Sequence, residues 1–204
     1  FMDCDDYHNI DPKKTINFIK NFTFFKNGKT YNKKTKKVIS AILIVHVWGN
    51  AVDIDDLYNI CSKKNIKIIE DASESLGSYY TKGRFKGKHA GTVGDIGCIS
   101  FNGNKIVTSG GGGMLITNKK KYSIKAHYYS TQSKNDPIWF IHNDIGYNYR
   151  MTNIHAAIGL GQIEKISLLI KKKKTINNYY RKNIINPNVE LVNNPNYAFN
   201  NNWL

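Results

Sequence analysis

No stretch of about 18 uncharged apolar residues, the length a membrane-spanning helix requires, occurs in this chain of 204 residues. The N-terminus also lacks a basic segment followed by an apolar one, so nothing in it signals export, and the chain reads as cytosolic. Cysteine is scarce. Cys4, Cys61 and Cys98 lie far apart, form no CxxC pair and are odd in number, which argues against a disulfide framework or a zinc cage. Asp3, Asp5 and Asp6 crowd the N-terminus, but no further ligand is spaced to complete a metal site, so turn and cap duty is expected of them.

Acids are outnumbered, 15 against 30 basic residues, for a net charge of +15. That balance raises the question of nucleic acid. The lysines, however, fall in short scattered clusters (Lys33-Lys34, Lys36-Lys37, Lys63-Lys64, Lys119 to Lys121, Lys171 to Lys174), and the tyrosines are not interleaved with them on one surface as base stacking would need. Solvated surface accounts for most of this charge. Attraction of an anionic substrate such as a nucleotide diphosphate is a further use for it.

What is present is one substantial domain's worth of chain, 41% apolar and long enough to bury a core. FMDCDDY reads as the tail of a strand. Asp11 and Pro12 then open a short helix, the first as cap and the second at the position where a missing amide costs nothing, with Ile16, Phe18 and Ile19 inward to about Asn21. Residues 22–37 read as an exposed loop with a weak hairpin around Asn27-Gly28. The continuous apolar run from Ile39 to Val45 marks a parallel strand covered on both faces and ending at His46. Asp53 opens a helix with Asp55 and Asp56 in its first turn and Leu57, Ile60 and Cys61 inward. Ile66 to Ile69 follows as a strand running into Glu70-Asp71. Strand, helix, strand in about thirty residues is a right-handed crossover, and such sheets place ligands beyond the carboxyl ends of their strands. His46 and Asp71 both fall there; for His46, packing at the strand end is the simpler role.

Residues 77–94 are rich in glycine and lysine and read as a surface excursion. Gly97 to Phe101 forms a strand, NGNK a turn, and Gly113 to Thr117 a strand pairing back. The four glycines Gly110 to Gly113 suit a tight turn or a close backbone approach. A helix is expected from Lys119 to about Ser130, a polar loop from His142 to Arg150, and a helix capped by Thr152 with Ile154, Ala157, Ile158, Gly161 and Gln162 along one side. A long lysine-rich helix from Ile163 to Tyr180 and an asparagine-rich linker with Pro187 and Pro195 complete the chain. His89 and His155 are expected to be structural or exposed.

The chemistry concentrates in residues 68–117. An acid, Asp71, ends an apolar strand, and a single lysine, Lys105, closes a strand-to-turn segment just after a hydroxyl and two amides. A lysine amine for a Schiff base, a carboxylate for a pyridine nitrogen, and hydroxyl or amide donors for a phosphate are the protein parts that hold pyridoxal 5'-phosphate (PLP).

EDASESLGS, GDIGCISFNGNK, GGGGMLIT and GYNYRMTNIHAAIGLGQIEK, in that order, make the chain resemble the PLP-dependent sugar aminotransferases of the DegT/DnrJ/EryC1/StrS family, nearest to the branch acting on 4-keto nucleotide sugars. The likeness runs from Phe1 to about Arg181. It implies an α/β three-layer sandwich, the large domain of PLP-dependent transferase fold type I (aspartate-aminotransferase-like), present here incompletely. By the same likeness Lys105 is the Schiff-base lysine and proton carrier, and Asp71 pairs with the pyridinium nitrogen. Glu74 lies near the ring hydroxyl, Ser100 and Asn102 bind the cofactor phosphate, and Asn148 reaches that phosphate across a homodimer interface, with Arg150 assisting or supporting the loop.

The implied reaction moves an amino group from an amino acid, glutamate by resemblance, to a nucleotide-linked keto sugar for surface polysaccharide or nonulosonic-acid synthesis. Lys105 sets the chain apart from the related sugar dehydratases, in which a histidine replaces the lysine. Set against the family, residues 1–165 correspond to the central part of the cofactor domain, and residues 166–204 to a long helix and linker toward a smaller C-terminal domain. The family's earlier phosphate loop and ring-stacking aromatic fall outside the sequence. The alternative is a truncated, inactive fragment of the same family.

Overall fold

The computed structural model describes residues 1–136 and 138–200. Asp11 accepts the amide of Lys14 and starts α1, Pro12–Phe22, with Pro12 at its head, as the capping pattern requires. The opening FMDCDDY is no strand tail. Residues 4–10 form a turn bridged between Cys4 and Ile10, in which Asp5 accepts the amides of Tyr7 and Asn9.

The hairpin near Asn27-Gly28 is firmer than the composition suggests. β1, Thr23–Lys26, and β2, Lys29–Asn32, pair antiparallel along their whole length. Asn27 and Gly28 both have positive φ, the geometry that matches strand twist. Phe24 stacks on Tyr31 with ring centroids 5.2 Å apart, and the buried Thr30 hydroxyl donates to the Lys64 carbonyl.

The frame of the molecule is a four-stranded sheet in the order β3, Ala41–Val45; β4, Lys67–Asp71; β6, Ile96–Ser100; β7, Gly113–Ile116. The first three strands are parallel and β7 is antiparallel to β6. Between β3 and β4 runs α2, Asp55–Lys63, so the expected crossover is present. Asp53 stands two residues ahead of the helix it was expected to open, and its carboxylate takes the amide of Asp55, the first helical residue.

Register assigns the two faces. Ile44, Ile68, Glu70 and Ile99 share the inner face with the α2 residues Leu57 and Cys61, and all are buried. Each fully buried aliphatic side chain there contributes about 1.5–3 kcal/mol. Leu43, Val45, Ile69, Asp71, Cys98, Ser100 and Leu115 share the other face. That face corrects one expectation: β3 is not covered on both sides, for Leu43 is 59% exposed. The strand reads as fully buried because its outward residues are apolar too, and composition cannot say which of two apolar faces is covered.

The excursion after β4 carries β5, Tyr79–Tyr80, and the helix α3 occupies Lys120–Ser130. A small hairpin not foreseen in the polar stretch joins β8, Lys134–Asp136, to β9, Ile141–His142. Thr152 accepts the His155 amide and caps α4, Asn153–Ile163, as expected. Ile154 and Ile158 on that helix are exposed. After α5, Ile166–Asn183, the chain returns so that β10, Ala198–Phe199, pairs with β5; residues 201–204 of the expected linker lie outside the described residues. Among the described residues no helix is long and apolar enough to cross a membrane.

Candidate active site

The parallel strands β3, β4 and β6 end together at Val45, Asp71 and Ser100, and the segments leaving them carry the candidate residues. Successive side chains of a strand point to opposite faces, so Glu70 and Asp71 divide the work at the end of β4. Glu70 turns inward. Its carboxylate accepts from His46 Nε2 (2.9 Å) and from the backbone amides of Gly91 (2.8 Å), Val93 (2.7 Å) and Gly94 (2.5 Å). His46 Nδ1 accepts the Val52 amide, so the ring proton lies on Nε2 toward Glu70. Burial by itself would raise the Glu70 carboxyl, but the His46 hydrogen bond and the loop amides outweigh it and hold the group below its ordinary value. His46 is thus a packed strand-end histidine.

His89 does similar work in the same excursion: Nδ1 donates to the Ala90 carbonyl and Nε2 accepts the Gly77 amide. Burial lowers its pKa.

Asp71 turns to the open face, half-buried, and accepts the Ser73 amide at 3.0 Å. Cys98 stands beside it in register, and its thiol is pushed up by burial first and by the Asp71 charge second. Ser100, two residues along β6 on the same face, accepts the Asn102 amide at 3.3 Å. Asn102 is exposed; its carbonyl accepts the Lys105 amide at 3.0 Å and so closes the turn that delivers the lysine.

Lys105 and Glu74 come together. Nζ lies 3.5 Å from Glu74 Oε1, and the lysine side chain is only 12% exposed. Glu74 sits in a turn rather than a helix, and its second oxygen accepts the Trp48 amide at 2.9 Å. The segments following β3, β4 and β6 are therefore joined through one carboxylate. The glycines after the lysine serve both expected ends: Gly110 turns with φ 82°, and a Cβ on Gly113 would stand 2.5 Å from the Ile99 carbonyl oxygen.

Asn148 and Arg150 are exposed on a segment held to the end of α3, with Asn148 bridged to Thr131. The candidates thus divide into Asp71, Glu74, Ser100, Asn102 and Lys105 at or just beyond the strand ends, and Asn148 on an outer loop. A half-buried amine, a carboxylate on the neighbouring strand and a hydroxyl on the next suit the donor set for a pyridoxal ring and its phosphate. Two contributors escaped the sequence reading, Glu70 and Trp48. For Glu70 the signal was available, an acid in step with Ile68 on the buried alternation of β4; Trp48 gave none.

Residues 1–202 match the sequence profile of the DegT/DnrJ/EryC1/StrS aminotransferase family. The chain is 41% identical over 152 residues to GDP-perosamine synthase from Escherichia coli O157:H7, covering 74% of this chain and 40% of that protein. It is 37% identical over 149 residues to the putative pyridoxal phosphate-dependent aminotransferase EpsN of Bacillus subtilis, covering 73% of this chain and 37% of EpsN. It therefore spans about two fifths of the length of these curated relatives. All of it superimposes on 51% of a DegT DnrJ EryC1 StrS aminotransferase from Brucella abortus, with a TM-score of 0.83 at 21% identity, a likeness of fold. With the profile spanning nearly the whole chain and the sheet and strand-end turns in place, the chain belongs to the DegT/DnrJ/EryC1/StrS aminotransferase family.

Proposed function

We propose that this chain forms the cofactor-binding centre of a PLP-dependent transaminase that moves an amino group from an amino acid, glutamate in our reading, to a 4-keto nucleotide sugar. The observation that carries it is the meeting of Lys105 and Glu74 just beyond the strand ends that present Asp71 and Ser100. Relatives named as a GDP-perosamine synthase and a UDP-linked altrosamine transaminase support the substrate class.

PLP supplies an electron sink when bound, stabilising the charge that develops at a carbon losing its proton. Lys105 Nζ is the atom that binds the cofactor and, when free, carries a proton to or from the reacting carbon. Glu74 Oε1 gives that amine a partner in the free state, and the Trp48 amide keeps the carboxylate turned toward it. Asp71 holds the pyridinium proton from the open face of β4. Ser100 and Asn102 bind the phosphate where β6 ends, and Asn148 with Arg150, exposed on one chain, completes the phosphate site of a second copy. Residues 1–165 serve as the centre of the cofactor domain, and residues 166–204 as a long helix and linker toward a smaller C-terminal domain, the linker first returning to pair β10 with β5.

An absorbance titration with PLP tests the reading. A visible cofactor band is expected for the wild type and not for Lys105→Ala. No band in either protein would favour the alternative, an inactive fragment of the family.

A further inference from the structure

Asp71 on β4 and Cys98 on β6 are partners in register, and Ser100 follows Cys98 by two residues on the same face of the sheet. Cys98 therefore occupies the corner joining two candidate cofactor contacts, roughly 5 Å from Asp71 across the strands and roughly 7 Å from Ser100 along its own. On its other side it pairs with Leu115, while Gly113, opposite Ser100, brings no side chain to the surface. The thiol is exposed there, on the face that also leaves Leu43 and Leu115 open.

Asp71 and Ser100 are assigned to two different parts of one ring. In PLP the pyridine nitrogen and the carbon bearing the phosphate arm are separated by a single ring C–H. A ring held by Asp71 at its nitrogen and by Ser100 at its phosphate turns that edge toward the surface between them. Position 98 lies under it.

We propose that Cys98 is a cofactor-binding residue, on which the pyridine edge between nitrogen and phosphate arm rests, and that a small side chain at this position is what admits the ring. The inference rests on the transaminase reading above and deepens it. It depends on the place of residue 98 in the sheet and not on sulfur; the thiol is what makes the contact measurable.

The same thiol senses Asp71. Its pKa is raised by burial first and by the Asp71 charge second, so a cation paired with Asp71 would by itself free the thiol to ionise and speed its alkylation. A ring lying over the sulfur slows alkylation instead. The two arrangements thus move one rate in opposite directions.

The test is alkylation by iodoacetamide, read by peptide mass spectrometry, in a Cys4→Ser variant of the full chain with and without PLP. Cys61 is 1% exposed and does not compete. Cys98 is expected to react at least roughly tenfold more slowly with PLP bound. Inorganic phosphate, which reaches only the Ser100 end, is expected to change the rate by less than about twofold. In an absorbance titration Cys98→Leu is expected to bind PLP at least roughly tenfold more weakly than Cys98→Ala. Their melting temperatures should differ little, because the side chain faces away from the core. The alkylation measurement needs no change at position 98, so it stands whether or not Cys98→Leu folds. The inference is overturned if PLP leaves Cys98 alkylation unchanged or accelerates it, or if Cys98→Leu binds PLP as tightly as Cys98→Ala. Either result leaves the transaminase reading standing so long as the Lys105-dependent cofactor band is present. Absence of that band in the wild type would overturn the reading and the inference together.

Discussion

His46 and Glu70 meet on the inner face of the sheet, Nε2 to Oε2 at 2.9 Å, with both side chains shut off completely from water. The contact joins the ends of β3 and β4, and the same carboxylate gathers the amides of residues 91, 93 and 94. Asp71 is the next residue, so the position of the outward acid depends on how firmly the inward one is held. Glu70→Ala leaves four donors, two buried and two partly buried, without their acceptor and is expected to cost about 4 kcal/mol. Urea denaturation followed by circular dichroism measures it, and a loss under about 1 kcal/mol would show that the network is dispensable.

Acid should dismantle this support in two stages. His89 has a folded pKa below its unfolded value of 6.5, so the stability it contributes is complete above about pH 6.5 and is lost as pH falls through the lower folded value. Glu70 is likewise depressed, from 4.5, so its contribution persists to about pH 4.5 and disappears below that. Melting temperature measured from pH 8 to pH 3 should fall in both windows. His89→Gln should flatten the upper decline and leave the lower one.

Gly97 lies on β6 directly beneath Gly91, and a Cβ added there would drive into the Gly91 carbonyl. Neither partner is a side chain that can swing away. Gly97→Ala should therefore displace the loop that cradles Glu70, at a cost of about 3 kcal/mol. Gly103→Ala, where nothing lies within 4 Å, serves as the control in the same thermal scan and is expected to be near neutral.

These contacts show where the sequence was legible. The crossover from β3 through α2 to β4, the caps Asp11 and Thr152, the NGNK turn and the paired strand after the glycines all follow from local chemistry that a linear reading detects. The uncovered face of β3 does not, because apolar composition states only that a residue can be buried. Glu70 was overlooked for the opposite reason: an acid between Ile69 and Asp71 reads as a strand end until its four partners are seen in space. Trp48 depends on a backbone angle that no residue type announces. Lys105 stood out from the other basic residues through its motif, whereas its approach to Glu74 needed coordinates.

Removing the Glu74 carboxylate should loosen the site more than the fold. Glu74→Ala takes away the acceptor of the Trp48 amide and the partner of Lys105, and the site is partly open to solvent, so a stability loss of about 1 kcal/mol is expected. Hydrogen exchange at the Trp48 amide should accelerate and PLP affinity fall. Exchange at an unchanged rate would mean that another group holds the turn.

If Asn148 completes the site of a second copy, two defective variants should repair each other. Lys105→Ala and Asn148→Ala are each expected to lack most of the activity. A mixed dimer places both changes in one site and leaves the other site whole, so random pairing should restore roughly a quarter of the wild-type rate. Mixtures no more active than the separate variants would place Asn148 outside a shared site.

Among 30 lysines and arginines, one amine is assigned to the cofactor. Borohydride reduction of the PLP-treated protein, followed by peptide mass spectrometry, identifies which amine carries it. The account predicts a single modified residue, Lys105, and no such label in Lys105→Ala. A label confined to the surface clusters at Lys119 to Lys121 or Lys171 to Lys174, or none at all, would contradict it.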